Sequence, residues 1–215
     1  MQRMHGWFAG LSAALVLTAC GGGGHHDDSA AVAVDDLAEG RYVVSVGDES
    51  SPTVGKYYAA ADGSRLLVLA DGDDRATQIY RRAAGDDSWQ AVPAPGAVRT
   101  VTLLHSSALP KPAAIDATSL AGGYVTRLAD GEVARFSIRG DGSIVAGDSV
   151  CRLSGQLSRS SLPGALQLVL SAAGCAGLPA SSRGTLVPDD DYRPARFRLI
   201  ADDDRRPLDI WGHAE

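Results

Sequence analysis

From Gly40 onward the chain alternates apolar and polar residues with a period of two, and the alternation is broken by glycine and aspartate. In 133–138, Ala134, Phe136 and Ile138 share one face and Arg135 and Ser137 the other. Cys151, Leu153 and Leu157 alternate with Arg152, Ser154, Gln156 and Ser158, and Leu166, Leu168 and Leu170 with Gln167, Val169 and Ser171. Ala195, Phe197 and Leu199 alternate with Arg196 and Arg198. Each run predicts a strand with one buried face. Asp62-Gly63, Asp71-Gly72, Asp130-Gly131 and Asp141-Gly142 separate such runs, and Asp-Gly tolerates the positive φ that closes hairpins. Beyond the N-terminal segment nothing carries a long helical stripe; Asp116 to Leu120 predicts at most one helical turn, capped by Asp116, Thr118 or Ser119. The predicted fold class is all-β, an antiparallel β-sandwich or small barrel.

Leu109-Pro110-Lys111-Pro112-Ala113-Ala114 marks an internal boundary, because closely spaced prolines hold a connector extended. The flanking halves open alike: Gly40-Arg41-Tyr42-Val43 leads to Asp62-Gly63-Ser64, and Gly122-Gly123-Tyr124-Val125 leads to Asp141-Gly142-Ser143. Either two similar β subdomains or ordinary hairpins drawn from one turn vocabulary produce this pattern. The expected division is a leader over 1–19, a tether over 20–39, an N-terminal β subdomain over 40–109, the connector over 110–114 and a C-terminal β subdomain over 115–215.

The leader has its own logic. Arg3 precedes an apolar stretch from Trp7 to Leu17, which ends in Leu17-Thr18-Ala19-Cys20. A spanning helix needs about 20 apolar residues, and here Gly21 to Gly24 follow at once. The order of charge, apolar segment, small residues and cysteine resembles the bacterial lipoprotein signal, whose cysteine is diacylated on sulfur and acylated on its new amine after cleavage. The resemblance implies that Cys20 is the lipidation site and that the N-terminal lipid anchor makes the membrane a partner. With Gly21 rather than Asp after the cysteine, it also implies an address at the outer membrane. Gly21 to Ser29, including His25, His26, Asp27 and Asp28, has the composition of a flexible tether and lacks the support a metal site needs.

Lipidation of Cys20 leaves Cys151 and Cys175, and an exported chain with this pair predicts one disulfide. A buried thiol pair and a nucleophilic cysteine are the alternatives. Gly122 to Tyr124, Asp141 to Ser143, Cys151 to Gly155 and Cys175 together resemble a pattern of uncharacterised β-rich proteobacterial lipoproteins. That resemblance implies a β fold and a disulfide and no activity.

The formal charge of −6 becomes −7 when Arg3 leaves with the leader, and no basic run is present. Charge therefore gives no support to nucleic acid as a partner. The acidic groups Asp71, Asp73 and Asp74, Asp189 to Asp191, and Asp202 to Asp204 lack the spaced ligands of a calcium loop and are read as solvated turns. Arg139-Gly140-Asp141 spells a receptor-recognised tripeptide and is equally a strand end running into an Asp-Gly turn. Past the tether the histidines are His105 and His213; no Gly-x-Ser-x-Gly elbow, Cys-x-x-Cys pair or His-Glu-x-x-His spacing accompanies them. Trp89, Trp211, Tyr42, Tyr57, Tyr58, Tyr80, Tyr124 and Tyr192 are assigned to core packing before a ligand groove. No catalytic residue, metal or cofactor is expected. The expectation is a lipid-anchored cell-envelope protein acting as a non-catalytic binding or envelope-accessory module, its partner a protein or small molecule; the alternatives are a structural lipoprotein that stabilises another membrane protein and a hydrolase of scattered residues.

Overall fold

The computed structural model describes residues 30–188 and 190–215; the leader, Cys20 and the tether up to Ser29 lie outside the described residues, as does Asp189. The N-terminal half contains β1 (Val32–Val34), β2 (Gly40–Asp48), β3 (Ser51–Ala59), β4 (Arg65–Ala70), β5 (Ala76–Arg82), β6 (Gln90–Val92), β7 (Arg99–Val101) and β8 (Leu103–Ala108). The C-terminal half contains β9 (Gly122–Arg127), β10 (Val133–Ile138), β11 (Ser143–Ala146), β12 (Arg152–Arg159), β13 (Leu166–Ala173), β14 (Ser181–Val187), β15 (Phe197–Asp202) and β16 (Pro207–Ala214). The protein is all-β.

β9 to β16 form an up-and-down antiparallel barrel of eight strands, closed where β16 pairs with β9. Its interior is filled by the alternating residues the sequence marks, Phe136, Leu153, Leu157, Leu168, Leu170 and Leu199 among them. Tyr124, Phe136 and Phe197 make ring contacts there, with centroids 4.7 to 6.4 Å apart. Arg152, Ser154, Gln156 and Ser158 face outward on β12. This polarity is the reverse of a membrane-spanning barrel, whose outer band is apolar. Among the described residues no helix is long and apolar enough to cross a membrane.

The N-terminal half is an open antiparallel sheet of order β6-β5-β4-β3-β2-β8. One face, carrying Val44, Val46, Tyr57, Leu67, Leu69 and Tyr80, is covered by Val34 of β1 and Val101 of β7, which pair in parallel. The stretch expected as a tether over 20–39 is not all linker. Val32–Val34 is a strand with Val34 buried, and Asp36 receives hydrogen bonds from Arg65 and Arg82, each at 2.7 Å, so this segment belongs to the folded body.

Both halves open with one device. Gly40 and Gly122 have φ of 152° and 157°, a region that suits glycine, and the Tyr42 and Tyr124 rings pack over their Cα positions. Each tyrosine hydroxyl donates to the carbonyl four residues earlier, Ala38 at 3.1 Å and Leu120 at 2.8 Å. Between the halves residues 109–117 run without regular structure. The expected helical turn is a 3-10 turn over Thr118–Leu120, with the Asp116 carboxylate accepting from Ser119 N–H at 2.8 Å.

Candidate binding site between the two halves

The run Leu66-Leu67-Val68-Leu69 is apolar at every position because both of its faces are covered. Leu67 and Leu69 enter the N-terminal core, whereas Leu66 and Val68, with Tyr58, Ile79 and Val92, pack against the outside of the barrel. The barrel meets them with Ala165, Val187, Tyr192, Ala195 and Ile200. β15 is the barrel's counterpart, buried along its whole length. This corrects the reading of its arginine face. Arg198 points out of the barrel, yet the N-terminal sheet covers it and leaves it 4 % exposed.

A buried guanidinium requires a partner for its charge and its donors. Arg198 Nε donates to Asp209 Oδ1 at 2.7 Å and Nη2 to Asp209 Oδ2 at 2.6 Å, and Nη2 also donates to the Asp74 carbonyl. Among the described residues the remaining nitrogen, Nη1, has the Tyr192 hydroxyl alone, at 3.5 Å. The cation also lies 5.3 Å from the Tyr192 ring centroid and 4.9 Å from that of Trp211. Burial works against the charged form, but the Asp209 hydrogen bonds and charge outweigh it and raise the Arg198 pKa above its ordinary value. Asp209 Oδ2 also accepts from Ala76 N–H at 2.8 Å, tying β5 to β16. A second strap joins Arg81 of β5 to the carboxylates of Asp202 and Asp204.

Where the halves diverge, two openings remain beside the loop between β14 and β15. The broader is a groove of about 1150 Å³ along the connector, with Arg41, Lys111, Pro112, Ile115, Pro194 and Arg196 among its lining. Arg41 Nη2 donates to the Pro110 carbonyl at 3.1 Å and pins the connector to β2. The smaller is a cleft of about 320 Å³ between the β2–β3 hairpin and β15, and Arg198 lies in its wall. Lys56 separates the two openings: its ammonium donates to Asp191 at 2.8 Å and sits 5.0 Å from the Tyr192 ring centroid. That hydrogen bond holds the Asp191 carboxyl below the usual carboxylate range.

The residues singled out in the sequence fall elsewhere. Cys151 and Cys175 form a disulfide with Cα atoms 4.4 Å apart, joining the entry of β12 to the exit of β13. His105 is exposed on β8 opposite Ser45, His213 lies on β16 opposite Val125, and neither lines the groove or the cleft. The Asp141 carboxylate of the Arg-Gly-Asp sequence accepts from Ser143 N–H at 2.9 Å and Ser143 Oγ at 2.6 Å, so the turn itself uses it. Of the acidic groups, Asp71 Oδ1 accepts from the Asp73 and Arg75 amides, Asp203 Oδ1 from the Arg205 and Arg206 amides, Asp191 pairs with Lys56, and Asp202 and Asp204 pair with Arg81. Among the described residues no group of His, Cys, Asp or Glu is placed to hold a metal ion. Arg198 and Asp209 escaped the sequence reading, though a signal was there: Ile200 stands in phase with Arg198, marking an outer face that is not fully solvated. No protein-family model, no curated protein and no solved structure matches the chain.

Proposed function

We propose that this protein is a lipid-anchored module of the cell envelope, attached through Cys20 at the outer membrane, that binds a partner rather than transforming it. The observation that carries the binding reading is the groove of about 1150 Å³, lined by the connector residues Pro110 to Ile115, by Arg41 of the sheet and by Pro194 to Arg196 of the barrel half. The connector is tied to β2 at its start, where Arg41 hydrogen-bonds Leu109 and Pro110, so that end of the groove is held in place before a partner arrives. Proline rings and the methylenes of Lys111 supply apolar contact, while Arg41 and Arg196 supply directional donors.

The test places a photo-crosslinking amino acid at Lys111 and, as a control, at Arg152 on the outer barrel face, in cells fed an alkyne fatty acid. The expected result is one crosslinked product from position 111, none from 152, and fatty-acid label that disappears in Cys20→Ala. Equal capture from both positions overturns the groove as the binding surface. An unlabelled wild-type protein overturns the anchor.

A further inference from the structure

We propose that the smaller cleft is a binding site for a small neutral molecule with an apolar body and one hydrogen-bond-accepting end, such as a carbonyl. The inference stands on the cleft alone and does not depend on the anchor or the groove. Two apolar faces that meet inside a protein ordinarily close to crystal-like density. Along Tyr58, Leu66 and Ile79 they do, but towards the β2–β3 hairpin they part and leave about 320 Å³. That volume is at the lower end of ligand sites, which favour such junctions. Val68 and Ile200 are buried at its base, Val43 and Ala70 add apolar wall, and Val54 stands at the rim, 53 % exposed.

The polar groups select the ligand's end. Arg198 gives Nε and Nη2 to Asp209 and Asp74, while Nη1, with two N–H groups, has a single partner among the described residues, at 3.5 Å. The Tyr192 hydroxyl, as acceptor from Nη1, keeps its own O–H to donate. The buried end thus offers donors and calls for an acceptor. Charge excludes an anion: Arg198 is balanced by Asp209 and Lys56 by Asp191, and Asp71 and Asp74 add negative charge at the lining. A cation would face the guanidinium. What remains is a neutral acceptor on an apolar frame.

Acetophenone is the probe, titrated into the full chain carrying labelled Ile, Leu and Val methyl groups. α-Methylstyrene, which has the same shape without the acceptor, and benzoate, which adds charge, are the comparisons. Acetophenone should shift the methyl signals of Val43, Val54, Val68 and Ile200 with a Kd on the order of millimolar. Both comparison ligands should bind roughly five- to tenfold more weakly. Val98, Val150 and Val169 are exposed elsewhere and serve as internal controls that should not move. Val54→Trp, at an exposed rim position, should abolish the shifts while leaving the remaining spectrum unchanged. Shifts spread equally over the control valines, or no shift at all, overturn the site. Equal binding of α-methylstyrene overturns the acceptor requirement, and tighter binding of benzoate overturns neutrality.

Discussion

Arg198 carries a charge at the seam between the two halves and is 4 % exposed. Its place between Phe197 and Leu199 puts it outside the barrel, and outside ordinarily means solvent. The neighbouring sheet makes that face a second interior, so the guanidinium is held by Asp209, Asp74 and two aromatic rings. Removing one member of such a pair leaves the other charged and buried, so Arg198→Met should lower stability by about 3–5 kcal/mol in urea unfolding. Replacing both members, Arg198→Met with Asp209→Leu, should cost less than the single change even though Ala76 N–H loses its acceptor. A double variant less stable than Arg198→Met would show that the pair is net stabilising. At this scale the sequence was informative about which residues share a face. It was silent on what lies against that face.

The hairpin turns show how far local sequence reaches at the level of elements. Residues 60–64, 71–75, 128–132 and 139–143 form the same loop, in which the first and fifth residues pair through their backbones and the fourth amide donates to the first carbonyl. The fourth position has positive φ, which Gly63, Gly131 and Gly142 supply as expected. In 71–75 the Asp-Gly pair is out of phase. Gly72 is second, and Asp74 takes φ of 59°. Its carbonyl accepts from Arg198 Nη2, so a contact from the other half compensates the less favourable residue. The β12–β13 hairpin followed its pattern closely, with Val169 exposed where the alternation placed it. The disulfide spans this hairpin with a sequence separation of 24. The chain-entropy argument for such a loop gives about 3.5 kcal/mol, which the Cys151→Ala, Cys175→Ala double variant should lose by urea unfolding. A loss under 1 kcal/mol would mean that hairpin pairing alone orders the segment.

For the molecule as a whole, the seam ties two units that the sequence separates at the prolines. Each has its own core, yet Tyr58, Leu66, Val68 and Ile79 of one are buried only by the other, and Arg198 and Arg81 strap them together. Exposing that seam costs apolar burial and unpairs buried charge, so neither half should unfold independently. In the proposed mature chain Trp89 lies in the N-terminal core and Trp211 packs at the seam against Arg198 and Tyr192, so fluorescence of Trp211→Phe and Trp89→Phe variants reports the N-terminal core and the seam respectively. Coincident unfolding midpoints, after correction for each variant's own stability, are expected; a resolved intermediate with one tryptophan still buried would refute the coupling. The sequence by itself marked runs such as 133–138, 151–158 and 166–171 as strands with their inward faces, and the turns closed by Gly63, Gly131 and Gly142, because period-two alternation and turn chemistry are properties of neighbouring residues. It also placed the cysteines at the ends of one hairpin. The tertiary structure alone decided that the C-terminal strands close on themselves while the N-terminal sheet stays open. It alone decided, too, that outer faces of both are buried and that a cleft remains between them. Those outcomes depend on which surfaces meet across more than a hundred residues of chain, and no local pattern encodes the partner of a face.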